Sequence, residues 1–149
     1  MKTRIYLYVL LGMLLIALVG EWLFYTQEMQ GPAQMFQASI NHDCAPWDGS
    51  AFTVSIPLRD GSTMNISIYR SPDIKLPSSY SFPDETMREG NALLLLPAGI
   101  PEQWTGKVWF QRVDEGIPVE GRFHFKSEAG VQFEGKFVAE WGHEIIYCG

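Results

Sequence analysis

The stretch Val119-Glu120-Gly121-Arg122-Phe123-His124-Phe125-Lys126, then Ser127-Glu128-Ala129-Gly130, then Val131-Gln132-Phe133-Glu134-Gly135-Lys136-Phe137-Val138-Ala139-Glu140-Trp141, decides the fold class. Its apolar residues recur every second position. Val119, Gly121, Phe123 and Phe125 share one face with Val131, Phe133, Gly135, Phe137, Ala139 and Trp141. Glu120, Arg122, His124 and Lys126 share the other with Gln132, Glu134, Lys136 and Glu140. Successive side chains of a strand point to opposite faces, so this is two strands of an antiparallel sheet wetted on one side. Gly121 and Gly135 fall on the apolar face, where a missing side chain marks a bend or an aromatic ring packed above it.

Working back along the chain, the same period recurs. Phe52, Val54, Ile56 and Leu58 alternate with Thr53, Ser55 and Pro57, and Met64, Ile66 and Ile68 alternate with Asn65, Ser67 and Tyr69. Arg59-Asp60-Gly61-Ser62 joins the two runs, and Asp-Gly between alternating segments is a strong hairpin signal. Pro57 has no N–H to donate, so its strand is an edge or ends there. Leu93 to Leu96, closed by Pro97, reads as a fully buried strand. Residues 107–113 read as another, and residues 145–147 as a last one. Residues 71–91 hold no period and are broken by Pro72, Pro77 and Pro83, so they read as a long loop with room for one helical turn at residues 84–88. The expectation is an all-β domain, a small antiparallel sandwich or barrel of about seven strands.

The first residues differ in kind. Lys2 and Arg4 precede a run from Ile5 to Tyr25 interrupted only by Glu21. As a helix, residues 5–25 would span roughly 31 Å, one hydrocarbon core. Tyr6 and Tyr8 lie near one end, and Trp22 and Tyr25 near the other, where amphipathic rings sit among headgroups. The expectation is one N-terminal transmembrane helix over residues 1–25, with its N-terminus cytoplasmic and the rest exported. A cleaved signal peptide is the rival, and would make the product secreted. Residues 26–43, rich in Gln and holding Gly31-Pro32, read as a stalk or lead-in, although Met35, Phe36 and Ile40 could equally pack on the domain. Residues 44–149 are then the exported β domain.

Composition sets the outer limits. The chain has 149 residues, 17 acidic and 11 basic, for a net charge of −6. Apolar residues make up 46%, enough for one core and too many for a disordered chain. Beyond Tyr25 nine basic and sixteen acidic residues remain, a net charge of −7. An acidic chain is a poor nucleic-acid module, and its overall charge does not favour adhesion to anionic lipid or peptidoglycan.

Two cysteines exclude a disulfide-framework miniprotein and a structural zinc finger. Cys44 and Cys148, at the two ends of an exported domain, read as a disulfide. Cys44-Ala45-Pro46-Trp47-Asp48-Gly49 reads as a turn, with Trp47 pinning the entry to the core. His42, His124 and His143 each stand near carboxylates. Neighbours in a strand face apart, however, so neither His42-Asp43 nor His143-Glu144 forms a ligand set, and no metal or cofactor is expected. The chain has no Gly-x-Ser-x-Gly elbow and no phosphate loop. Asp84-Glu85 and Asp114-Glu115 fall in turns, where solvation accounts for them.

Aromatic residues are more numerous than a small core demands. Tyr80, Phe82, Trp104 and Phe110 are therefore candidate contacts for a ligand or partner, with burial under the long loop as the plainer account. Trp109 and Phe110 are adjacent, so one ring points in and the other out. The leading functional expectation is a membrane-anchored, exported, non-enzymatic binding module that recognises another envelope protein or a small apolar ligand. The alternatives are a hydrolytic enzyme with a histidine base, which requires two histidines and a carboxylate to meet in one pocket, and a structural subunit of a membrane complex.

Overall fold

A computed structural model describes residues 34–72, 79–86, 88–143 and 146–148. The membrane-helix reading of residues 5–25 and the signal-peptide alternative lie outside the described residues. The described part is all-β. Its nine strands are β1 (Met35–Cys44), β2 (Ser50–Pro57), β3 (Thr63–Ile68), β4 (Ser79–Phe82), β5 (Gly90–Leu95), β6 (Glu102–Gln103), β7 (Thr105–Phe110), β8 (Val119–Lys126) and β9 (Gln132–Trp141). They form one sheet in the order β4-β7-β8-β9-β1-β2-β3-β5-β6. The sheet curls into a half-barrel around a single aromatic and aliphatic core.

The two hairpins read from alternation are both present. β2 and β3 pair antiparallel with Val54 opposite Ile66 and Ile56 opposite Met64. The turn between them has Gly61 at φ 84°. Asp60 holds the turn by accepting from the N–H and hydroxyl of Ser62, and these bonds lower its carboxyl pKa. Pro57 is the last residue of β2, as its missing N–H requires. β8 and β9 pair with Phe123 opposite Gly135 and Gly121 opposite Phe137. Their inward residues Val119, Phe123, Phe125, Phe137 and Ala139 are all buried. Val131 is 58% exposed, because it belongs to the turn: its carbonyl accepts from the Ser127 N–H.

Several expectations are corrected. The sheet is a single curled one of nine strands, and it is not antiparallel throughout, since β1 runs parallel to β9. β1 lies within the segment read as lead-in. It enters mid-sheet between the two hairpins, with Phe36 and Ile40 in the core. All of its outward side chains but Asp43 are uncharged and its flank holds Gly31-Pro32, so local composition hides it. β5 starts at Gly90, and Leu93, Leu94 and Leu95 are only half-buried, because they lie near a sheet end that is covered by the two residues of β6 alone. Ile146 and Tyr147 are exposed and outside any strand. Trp47 is half-exposed, set edge-on to Tyr69 at 5.3 Å, and does not pin the core.

The curl has a local cause. β6 pairs with β5 at one end of the sheet, and β7, starting two residues later, pairs with β4 and β8 at the other. Between them the Trp104 N–H donates to the Ala92 carbonyl at 2.9 Å. One continuous run of chain thus leaves one end of the sheet and joins the other. Gly106, at φ 143°, follows immediately, and a Cβ there would stand 2.1 Å from the His124 carbonyl oxygen. Only glycine takes that backbone conformation at that approach.

Cys44 and Cys148 are bonded, with S–S 2.08 Å and Cα–Cα 5.6 Å across a sequence separation of 104. Closing a loop of that length is worth about 4–5 kcal/mol in the chain-entropy model, and measured values usually fall lower.

Candidate functional site

Strand direction divides the molecule into two ends. β1 runs from the entry of the chain at Met35 to the disulfide at Cys44. Pairing directions then place the turns at residues 58–62, 96–101 and 127–131 at the entry end. The disulfide, residues 111–118 and the segment after β9 gather at the other end.

At that far end lies an open groove of about 500 Å³, lined by His42, Glu115, Pro118, Glu140, Trp141 and His143 together with two glycines. Its construction follows from the strands. His42 is on the same face of β1 as Phe36 and Ile40, and Trp141 is on the inner face of β9. The parallel pairing of β1 with β9 brings Trp141 beside Ile40. The imidazole of His42 then lies 5.0 Å from the Trp141 ring. The Trp141 indole N–H donates to the Asp114 carbonyl at 2.8 Å, which ties the residue 111–118 loop to the groove. That loop delivers Glu115, whose Oε1 is 3.1 Å from His42 Nε2. Asp114 itself is ion-paired with Arg112. A Cβ on Gly142 would stand 1.9 Å from Asn41 Oδ1, so this glycine lets the chain leave β9 past β1 and carry His143 to the rim.

The groove can orient an imidazole against a carboxylate, and it presents acidic groups beside an aromatic ring. Among its lining residues there is no serine, threonine or cysteine. Among the described residues no three His, Cys, Asp or Glu side chains converge in a way that could hold a metal ion. His124 is elsewhere, on the outer face of β8, where its Nδ1 meets Glu134 Oε2 at 3.0 Å. Two histidines and two carboxylates therefore share one groove, and the third histidine does not join them.

The four aromatic residues singled out from sequence are placed differently. Tyr80, Phe82, Trp104 and Phe110 are 1%, 3%, 6% and 4% exposed, and all belong to the core. Tyr80 and Phe82 are in β4, which pairs with β7 and turns their rings inward. A partner approaching from outside meets none of these rings. Trp109 and Phe110 do divide as alternation demands, with Trp109 half-exposed beneath the Arg122 guanidinium.

Sequence reading missed Glu115, Glu140 and Trp141 as groove residues. The available signal was parity: His42 has the same phase as Ile40 and so belongs at the end of the inner face. What brought the groove together, the parallel pairing of β1 and β9, has no local signature. Comparison with protein-family models, with curated proteins and with solved structures finds no match for this chain.

Proposed function

We propose that the chain is a non-enzymatic binding module, held at the outer face of a cytoplasmic membrane by residues 5–25, that engages another envelope protein at the groove around Trp141. The observation that carries this reading is the groove itself: an open, aromatic-floored hollow with two carboxylates at the end of the sheet away from the chain entry. Such a surface suits a basic side chain of a protein partner, whose cation gains from the two carboxylates while its apolar stem lies along the indole. A small apolar ligand is less well served, because the inner face is filled by rings packed on one another, with Phe123 lying 4.8–6.4 Å from four other phenylalanines.

The test is site-specific photo-crosslinking of the full chain in its native envelope. A crosslinker in place of Ile117, between the groove residues Gly116 and Pro118, should trap a discrete partner. Glu115→Gln with Glu140→Gln should abolish that product while the disulfide still forms. The same product in equal yield from the double variant would move the site elsewhere. Substituting Tyr80 and Phe82 would report on folding, since both are core.

A second reading has its own observation. His42 oriented by Glu115, with His143 in the same groove, has the base-and-orienter geometry of general base catalysis. A hydrolase of this kind would act on substrate through an activated water. Turnover of an ester or amide panel that His42→Gln removes would establish it; no turnover by the folded, oxidised chain would leave the binding reading alone.

A further inference from the structure

We propose that the entry-end half of the outer face of β7, β8 and β9, with the turn at residues 127–131 on its margin, lies against an anionic lipid surface. This rests on the tethered reading above. The chain enters the sheet on this face: the Gln34 carbonyl accepts from the Lys136 N–H, and Met35 is in register with Lys136. The same rung continues through Arg122 to Trp109. Met35, Lys136, Arg122 and Trp109 thus form one row across four strands, over a shallow hollow of about 420 Å³.

Two like charges directly opposite one another in a sheet repel. Among the described residues neither Arg122 nor Lys136 has an ion-pair partner. The Arg122 guanidinium lies instead over the Trp109 ring, 4.8 Å from its centroid. A lipid phosphate at this row would relieve the repulsion and pair both cations. Lys107 and Lys126, both exposed, add two more cations nearer the turn, so four cations stand there against two acids, Glu128 in the turn and Glu134, which is engaged by His124; Glu120, on the far side of the hollow, and Glu140 belong to the far-end half of the face. Met35 and Val131, 56% and 58% exposed, supply apolar side chains at the edges of the face. Cations interspersed with an indole and apolar side chains suit the headgroup layer. The far end also exposes apolar residues, Ile117 and Tyr147, but the acids gathered there, Glu115, Glu120 and Glu140, are repelled by an anionic surface.

Connectivity favours the contact. Tyr25 and Gln34 are nine residues apart, at most roughly 32 Å fully extended. A tether of that reach keeps this face at high effective concentration over the bilayer, so a weak contact suffices. The acidic domain as a whole does not adhere, but this one face can. The contact would leave the Trp141 groove pointing away from the membrane.

The test uses the full chain, disulfide intact, in vesicles of phosphatidylcholine with or without phosphatidylglycerol. An environment-sensitive fluorophore is attached at Val131→Cys or, separately, at Ile117→Cys, and quenching by headgroup-labelled nitroxide lipid is measured. We expect several-fold stronger quenching at 131 than at 117 in anionic vesicles. Arg122→Gln with Lys136→Gln, both exposed on the outer face, should erase most of that difference. Equal quenching at the two positions, or a difference indifferent to phosphatidylglycerol and to the double substitution, overturns the proposal. Retention through an alkaline wash reports on the tether separately. If the chain washes off, the same quenching comparison on protein added to vesicles from outside still decides whether this face meets anionic lipid.

Discussion

The two halves of the sheet solve the same curvature with different side chains. β1, β2, β3 and β5 line the core mainly with aliphatic chains, Ile40, Val54, Ile56, Met64, Ile66, Ile68 and Ala92, all fully buried, and with only two rings, Phe36 and Phe52. Their outer face is a ladder of hydroxyls and amides with one carboxylate, Asp43, at its end. There Thr53 Oγ1 donates to Asp43 and pairs with Ser67, and Asn91 donates to the Tyr69 hydroxyl. β7, β8 and β9 line the core with Phe110, Phe123, Phe125 and Phe137, and their outer face is charged. Branched aliphatic chains interdigitate in many ways, whereas a flat ring needs one particular gap. The aromatic half obtains those gaps from glycine. A Cβ on Gly121 would stand 2.3 Å from Phe137 Cζ, and one on Gly135 would stand 2.5 Å from Cε2 of Phe36, the β1 ring that packs on Phe123 and Phe133 of this half. Rings over missing side chains define the register of this half, and methyl packing defines the other.

That difference is sharpest for loss of a ring. Phe123 is 2% exposed and stacks against Phe36, Phe125, Phe133 and Phe137. Phe123→Ala should cost about 3–5 kcal/mol in denaturant unfolding, because it opens a cavity and removes four ring contacts. Ile66→Val, in the aliphatic half and fully buried, should cost about 0.5–1.5 kcal/mol. Phe123→Leu, which removes three carbons, against Ile66→Val, which removes one, sharpens the test when the costs are compared per carbon removed. If the two cost the same per carbon, ring geometry contributes nothing beyond burial and the contrast between the halves fails.

A smaller effect is expected from adding one methyl. Gly121→Ala puts a carbon 2.6 Å from the Trp109 carbonyl oxygen as well as under the Phe137 ring. Neither backbone nor packed ring can retreat far, and a cost of about 1–3 kcal/mol follows. Ser55→Thr, which also adds a methyl but on the outer face of β2, should change stability by at most about 0.5 kcal/mol. Near-neutral behaviour of Gly121→Ala would mean that the Phe137 ring has other places to go.

The aromatic half was also the more legible in sequence. Strict alternation from Val119 to Lys126 and from Gln132 to Trp141 specifies faces, pairing and turn, because large apolar and charged residues could not exchange sides without burying charge. Asp60-Gly61 did the same for the β2–β3 hairpin by its backbone requirement. β1 was obscured because Gln37, Ser39 and Asn41 on its outer side resemble a polar linker, and its neighbours are about fifteen and a hundred residues away. β4 was hidden among prolines, and with it went the burial of Tyr80 and Phe82. For Phe110 and Trp104 sequence left burial and exposure both open for a related reason: counting rings says nothing of how many a curled sheet encloses. The disulfide was legible from compartment and even count. The groove was not, since His42, Glu115 and Trp141 come from three distant segments.

The least perturbing way to probe the aromatic half is at the one phenol inside it. Tyr80 is buried against Phe110, with ring centroids 6.1 Å apart, and among the described residues its hydroxyl has no hydrogen-bond partner. Burial foremost pushes its pKa up to about 12, with Arg70 opposing and Glu89 reinforcing. An unfolded tyrosine ionises near about 10, so both states keep the proton below that pH and stability there is unaffected. Between roughly pH 10 and 12 the unfolded chain loses the proton and the native one retains it, so stability falls as pH rises. Tyr80→Phe should remove this part of the alkaline decline, while Tyr69, whose pKa is also raised, contributes equally in both proteins. At neutral pH the substitution should be within about 1 kcal/mol of neutral, since it deletes a desolvated hydroxyl that bonds to nothing. Denaturant unfolding of both proteins from neutral pH to pH 11, followed by phenolate absorbance, checks both statements. Identical alkaline limbs would show that Tyr80 is open to water, and that β4 does not seal the aromatic half.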